Sequence, residues 1–137
     1  MTDLPYHENV ELTKSVVDYA HEHGVSVEGE LGGIAGMEER ATPEHMFTKP
    51  KEVEGFIKET GVDSLAISIG TVHGPFKSKL ENRPVQLRFD ILDGVRDRVG
   101  EFPLVLHGAS NVPPEYVEIV NQYGGRIEGA RGLDDEQ

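Results

Sequence analysis

Between Val10 and His23, apolar residues recur at Leu12, Val16 and Ala20 with charges between them, and Gly24 follows. That spacing predicts an amphipathic helix ended by a glycine, with the Leu12, Val16 and Ala20 stripe facing a core. Val25 to Leu31 then alternates as a strand does. From Gly32 to Lys49 no period is visible, and the segment reads as a long loop. Pro50 opens a second helix through Val53, Phe56 and Ile57, closed by Gly61. Leu65 to Ile69 is a short apolar run of the kind found in strands buried on both faces. A polar loop, Thr71 to Pro84, separates it from a third helix marked by Leu92, Val95 and Val99 and stopped at Gly100. Pro103 to Leu106 is a further buried-strand candidate. Pro113 and Pro114 open a fourth helix through Tyr116, Ile119, Val120 and Tyr123, ended by Gly124 and Gly125.

The order is one helix followed by three strand–helix pairs. Such alternation means parallel strands joined by helical crossovers, so the fold class is α/β, about three strands and four helices in a single domain over residues 1–137. A closed (β/α)8 barrel needs eight of each and typically about 250 residues, so these elements are too few to close one.

The 137 residues carry 25 Asp and Glu against 13 Lys and Arg, a formal charge of −12. That balance argues against nucleic acid and anionic membrane as partners, and any bound phosphate must be held locally. No run approaches the roughly 18 apolar residues of a membrane span. With no cysteine in the sequence, a metal site would rest on His and carboxylate ligands. The start of the chain shows no secretory pattern, and a cytoplasmic location is the expectation.

Glu30, His73 and His107 each fall at the carboxyl end of a predicted strand, where parallel α/β folds build their sites. Two histidines and a carboxylate suit zinc or a similar divalent ion. A single histidine near a strand end is more often a hydrogen-bonded structural residue. Here Val72-His73-Gly74 and Leu106-His107-Gly108 echo one another at equivalent positions, which favours a site. Gly108-Ala109-Ser110 precedes a helix, where small residues leave N–H groups for an anion. Lys77 could add a cation to the same pocket or lie solvated at the surface. The glycine-rich stretch from Gly32 ends in Glu38 and Glu39, which could carry a general base or be solvated charge. His7, His21, His23 and His45 read as surface residues.

Five motifs in one order carry a resemblance. They are Glu28-Gly29-Glu30-Leu31-Gly32 with Gly36-Met37-Glu38, Gly61 to Ile67, Ile69-Gly70-Thr71-Val72-His73-Gly74, Leu87-Arg88-Phe89-Asp90, and Leu106-His107-Gly108-Ala109-Ser110. In sequence and spacing they resemble the class II, metal-dependent fructose-bisphosphate aldolases over nearly the whole chain. The resemblance implies part of a TIM (β/α)8 barrel. It implies metal ligation by His73 and His107, with Glu30 as a carboxylate ligand and Glu38 as the loop residue that moves the proton. It implies that Gly74, Gly108, Ala109 and Ser110, with Lys77, hold the dihydroxyacetone-phosphate end and a nearby monovalent cation. The implied reaction is the lyase step of glycolysis and gluconeogenesis: reversible, Zn2+-dependent aldol cleavage of fructose 1,6-bisphosphate to dihydroxyacetone phosphate and glyceraldehyde 3-phosphate.

The family's early strands carry an Asp-His pair and a further aspartate that have no counterpart in this sequence, and its last strand is likewise unmatched. Thr2-Asp3-Leu4-Pro5 stands where the family reads Ser-His-Leu-Pro. The expectation is therefore a fragment with exposed strand edges, pairing with another copy or a complementary half-barrel and of little or no activity alone. A tagatose-bisphosphate-type aldolase, an inactive half-barrel and a non-aldolase phosphate-binding barrel are the alternative readings.

Overall fold

Gly29 has no side chain, and none would fit there: a Cβ would lie 2.9 Å from Val62 Cγ1 and 3.0 Å from Phe56 Cε1. This close approach sets how one helix lies on the sheet. The computed structural model describes residues 4–33, 47–71, 87–111, 113–127 and 130. In these residues the order is α1 (Tyr6–Glu22), β1 (Glu28–Leu31), α2 (Pro50–Thr60), β2 (Ser64–Ile67), α3 (Phe89–Val99), β3 (Leu104–Val105) and α4 (Pro114–Gln122). The strands form one parallel sheet in the order β1-β2-β3, with Glu28 opposite Ser64, Glu30 opposite Ala66, and Ala66 opposite Val105. The α/β reading and the parallel crossovers stand as expected.

Alternation splits the sheet into two faces. Leu31, Leu65, Ile67 and Ile69 face the helices and join Val53 and Phe56 of α2 with Ile91 and Val95 of α3 in one buried core. Glu28 and Glu30 of β1, with Ser64 and Ala66 of β2, belong to the other face. That second face carries the charged groups.

Pro50 sits at the first turn of α2 and Gly61 caps it at φ 75°, so α2 begins and ends where its residues demand. The first helix differs from expectation. It starts at Tyr6, four residues early, because Tyr6 packs edge-on against Phe56 at 6.2 Å and donates its hydroxyl to Glu59 Oε1 at 3.1 Å. Its inward face is also rotated. Asn9 and Val17 are buried, whereas Leu12 is 38% and Val16 49% exposed. The polar Asn9 is drawn inward because its Nδ2 donates to the Glu30 carbonyl at 2.9 Å, and Thr13 Oγ1 donates to its Oδ1 at 3.1 Å. In α4, Val117 is buried while Tyr116, Ile119, Val120 and Tyr123 are exposed, so its expected stripe also faces away from the core.

The first strand is shorter than its alternating run. Val25 is exposed. The Val27 carbonyl accepts the Asp63 N–H at 2.9 Å, and its own N–H donates to Asp63 Oδ2 at 2.7 Å. These bonds run to the turn before β2 rather than along the ladder, so regular pairing begins only at Glu28. The third strand likewise contracts to two residues.

Candidate functional site

All three strands leave the sheet through a glycine of positive φ: Gly32 (101°), Gly70 (113°) and Gly108 (67°). Around the first two lies a buried polar knot. Thr48 Oγ1 donates to the Leu31 carbonyl and accepts the Ser68 N–H at 2.7 Å, while the Thr48 N–H donates to the Ser68 carbonyl at 2.9 Å. Ser68 Oγ donates to the Gly33 carbonyl at 2.8 Å. A Cβ on Gly32 would come within 2.8 Å of Thr48 N, so only glycine lets Thr48 approach this closely. The knot fixes the outlets of β1 and β2, which carry candidate site residues on either side.

At the outlet of β3, Thr71 Oγ1 donates to the His107 carbonyl at 2.6 Å. The ring is held from the opposite edge of the sheet, where His107 Nε2 lies 2.7 Å from Glu28 Oε1. A carboxylate oxygen accepts, so Nε2 carries the hydrogen. The contact links residues 79 positions apart in sequence and spans the middle strand. On that face β2 offers only the small residues Ser64 and Ala66, leaving space for the longer side chains of its neighbours.

Of the expected site residues, the structure places Glu30 on β1, two residues from Glu28 and on the same face, with its carbonyl held by Asn9. It places His107, Gly108, Ala109 and Ser110 on the turn between β3 and α4. Glu38, His73, Gly74 and Lys77 lie outside the described residues. Among the described residues, no three His, Asp or Glu side chains come together closely enough to hold a metal ion. What is present, one imidazole with Glu28 beside it and Glu30 on the same face, is the donor chemistry a divalent ion takes when no thiolate is available. The expected histidine ligand at position 73 lies outside the described residues, so only donor types, and no assembled ligand set, are on view.

The helix after Ser110 opens on Pro113 and Pro114, which have no N–H to offer. The N-cap and the first position of α4 therefore offer no backbone donor to an anion. The Leu87-Arg88-Phe89-Asp90 motif acts as a clasp. The Arg88 N–H donates to the Ile69 carbonyl at 2.8 Å, and its guanidinium forks onto Asp90 at 2.8 and 2.6 Å. Arg88 also lies over the Phe47 ring at 5.4 Å. That guanidinium holds the Asp90 carboxyl below the usual carboxylate range.

His21 and His23 take separate partners. His21 Nε2 meets Asp63 Oδ2 at 2.9 Å, and His23 Nδ1 meets the Tyr19 carbonyl at 2.8 Å. Sequence reasoning missed Glu28, Thr71 and Thr48. For Glu28 a signal was available: in an alternating strand, carboxylates at positions 28 and 30 must share a face.

A family model described as "Fructose-bisphosphate aldolase class-II" matches residues 1–126. The chain is 50% identical to the fructose-bisphosphate aldolase of Treponema pallidum over 146 aligned positions, covering 98% of this chain and 44% of that protein. It is 44% identical to the fructose-bisphosphate aldolase of Giardia intestinalis, covering 94% of this chain and 39% of that protein. Among solved structures, the YdjI aldolase from Escherichia coli K12 superposes with a TM-score of 0.60 at 35% identity, covering 86% of this chain and 37% of that one. A candidate fructose-1,6-biphosphate aldolase from Coccidioides immitis gives 0.64 at 34% identity, covering 88% and 42%. The chain thus spans about four tenths of the length of these relatives.

Proposed function

Because this chain belongs to the class II fructose-bisphosphate aldolase family, we propose that it forms the part of an aldolase site that holds a divalent metal and the dihydroxyacetone-phosphate end of fructose 1,6-bisphosphate. The observation that carries the reading is the meeting of Glu28 and His107 over the middle strand, on the face of the sheet that also carries Glu30. Imidazole and carboxylate groups on one face of a parallel sheet are the donor types that a divalent cation takes when no thiolate is available.

In this reading His107, His73 and Glu30 hold the ion, taken to be Zn2+. When bound, it would supply a Lewis acid for the substrate carbonyl. Glu38 removes and returns the proton on the carbon beside that carbonyl, as a general base must. The backbone of Gly74 and of Gly108, Ala109 and Ser110 orients the phosphate end, with Lys77 and a monovalent cation offsetting its charge. The net charge of −12 repels polyanions at a distance, so recognition of a small phosphate depends on these local groups. Cytoplasmic sugar-phosphate metabolism is the proposed setting. Among the described residues, no helix is long and apolar enough to cross a membrane.

The test is calorimetric titration of the 137-residue chain with dihydroxyacetone phosphate, with Zn2+ present and again in excess chelator. Binding that requires Zn2+ is the expected result. Binding of equal strength in chelator would replace the aldolase reading with a metal-independent phosphate site. An aldol-cleavage assay on the same samples, alone and mixed with the complementary segment of a relative, then asks about turnover. Cleavage is expected only in the mixture, because the family's Asp-His pair has no counterpart among these residues.

A further inference from the structure

We infer that the outer flank of α1, formed by Leu12, Val16 and Tyr19 beside the open edge of β1, is a docking surface for a strand–helix segment of a class II aldolase barrel. That segment would add its strand parallel to β1 and lay its helix against α1. The inference rests on family membership and not on the metal reading, so the two stand or fall separately.

The position of these residues around the helix supports it. Successive residues of an α-helix advance by about 100°. Going round α1, Tyr6 and Val17 turn toward α2: the Tyr6 ring meets Phe56, and Val17 Cγ1 lies 3.7 Å from the place a Cβ would take on Gly61. Asn9 comes next and reaches β1 through the Glu30 carbonyl. Leu12, Val16 and Tyr19 follow, at 38%, 49% and 69% exposure. The charged Glu11, Lys14, Asp18 and Glu22 complete the circle. The apolar stripe is thus centred roughly 100° from the face of Asn9 and Val17. It lies on the flank away from α2, where a further helix of the same layer would stand, and not on the charged face turned to water.

The sheet is open on the same side. Among the described residues β1 pairs with β2 alone, whereas a closed barrel has no such edge. The chain covers about four tenths of the solved aldolases on which it superposes, and its described residues supply three of the eight strands a barrel needs. Two copies would bring six strands, two short of closure, and would set a charge of −12 against a charge of −12. A second copy is therefore the poorer occupant. The competing description is apolar residues scattered over a surface, which need no partner. Leu12, Val16 and Tyr19 instead follow one another along a single flank, beside an open strand edge.

The experiment co-expresses the 137-residue chain with the segment of the Treponema pallidum relative that precedes the matched region. The products are studied in metal-free buffer by sedimentation velocity and hydrogen exchange. A one-to-one complex is expected, with new protection at those β1 amides that do not bond to β2. Val16→Lys should weaken the complex more than about tenfold, because docking would bury an ammonium group without a partner. Its circular dichroism should match wild type, since position 16 is half exposed in the free chain. Tyr123→Lys, on the exposed apolar face of α4, should leave the complex unchanged. Absence of a complex with the wild-type chain would overturn the inference, as would equal affinity of the Val16→Lys and wild-type chains. Self-association of the wild-type chain that Val16→Lys abolishes would assign the flank to a second copy and would equally overturn it.

Discussion

Thr48 and Ser68 face one another through two hydrogen bonds, Thr48 N–H to the Ser68 carbonyl at 2.9 Å and Ser68 N–H to Thr48 Oγ1 at 2.7 Å. Both residues are buried, at 2% and 3% exposure. The same hydroxyl donates to the Leu31 carbonyl, so one side chain closes the outlets of two adjacent strands.

Replacing Thr48 with valine keeps its shape and removes the hydroxyl. The Ser68 N–H and the Leu31 carbonyl would then be buried without that partner, a loss of about 1–3 kcal/mol for each group left unsatisfied. Thr48→Ser keeps the hydroxyl and should recover most of the loss. Urea denaturation of the three proteins reads this directly. Equal midpoints for wild type and Thr48→Val would show that water replaces the hydroxyl without penalty.

Gly32 stands beside this knot at φ 101°, with Thr48 N only 2.8 Å from where a Cβ would be. Gly24 has φ 67° and nothing within 4 Å of its own Cβ position. Both alanine variants meet backbone strain of about 1–2 kcal/mol. Only Gly32→Ala meets a backbone clash as well, and moving Thr48 would disturb the bonds it makes. Gly32→Ala should therefore lower the melting temperature clearly more than Gly24→Ala. A similar drop for the two would mean that the loop yields and the knot is softer than its distances imply.

The contrast between these local features and the helices explains how far the sequence could be read. For α2, the apolar spacing of Val53 and Phe56 and the Gly61 stop are local, and the structure follows them. For α1, the stripe of Leu12 and Val16 is more apolar than the face actually buried. Asn9 is taken inward by a hydrogen bond to Glu30, 21 residues away, which no period can report. The site divides in the same way. His107 was visible because a histidine followed by glycine at a strand outlet is a local pattern. Its partner Glu28 depends on strand order and register, and Thr48 lies in a stretch with no period at all.

Asp63 should shape the acid limb of the stability profile. The hydrogen bond from His21, followed by that from the Val27 N–H, lowers its carboxyl below the ordinary value of 3.8. A carboxylate depressed in the folded state contributes stability that is present above its unfolded value and lost as pH falls through the folded one. Denaturant midpoints should therefore fall below about pH 4. In Asp63→Asn, which keeps an acceptor for Val27, that limb should be shallower. Superimposable limbs in the two proteins would mean that other carboxylates set the acid behaviour.

At the alkaline end the responsible group is Tyr6, whose phenol is pushed up to about 12 from 10.0 by burial and by the Glu59 carboxylate it donates to. The sign follows from which form the fold prefers. The folded state holds the phenol's proton more tightly than the unfolded chain does. Tyr6 thus contributes stability that is fully present below pH 10 and is lost as pH rises toward 12. Physically, ionising the phenol would place a second negative charge against Glu59 and remove the donor that joins α1 to α2. Tyr6→Phe keeps the edge-on packing against Phe56 but has no proton to lose. Its stability should start lower at neutral pH, by the worth of one exposed hydrogen bond to a charged acceptor, and then stay flatter between pH 10 and 12 than that of wild type. The two curves should converge as pH rises. Parallel curves across that interval would show that the Tyr6 hydroxyl titrates alike in the folded and unfolded chains, and that the bond to Glu59 does not hold its proton.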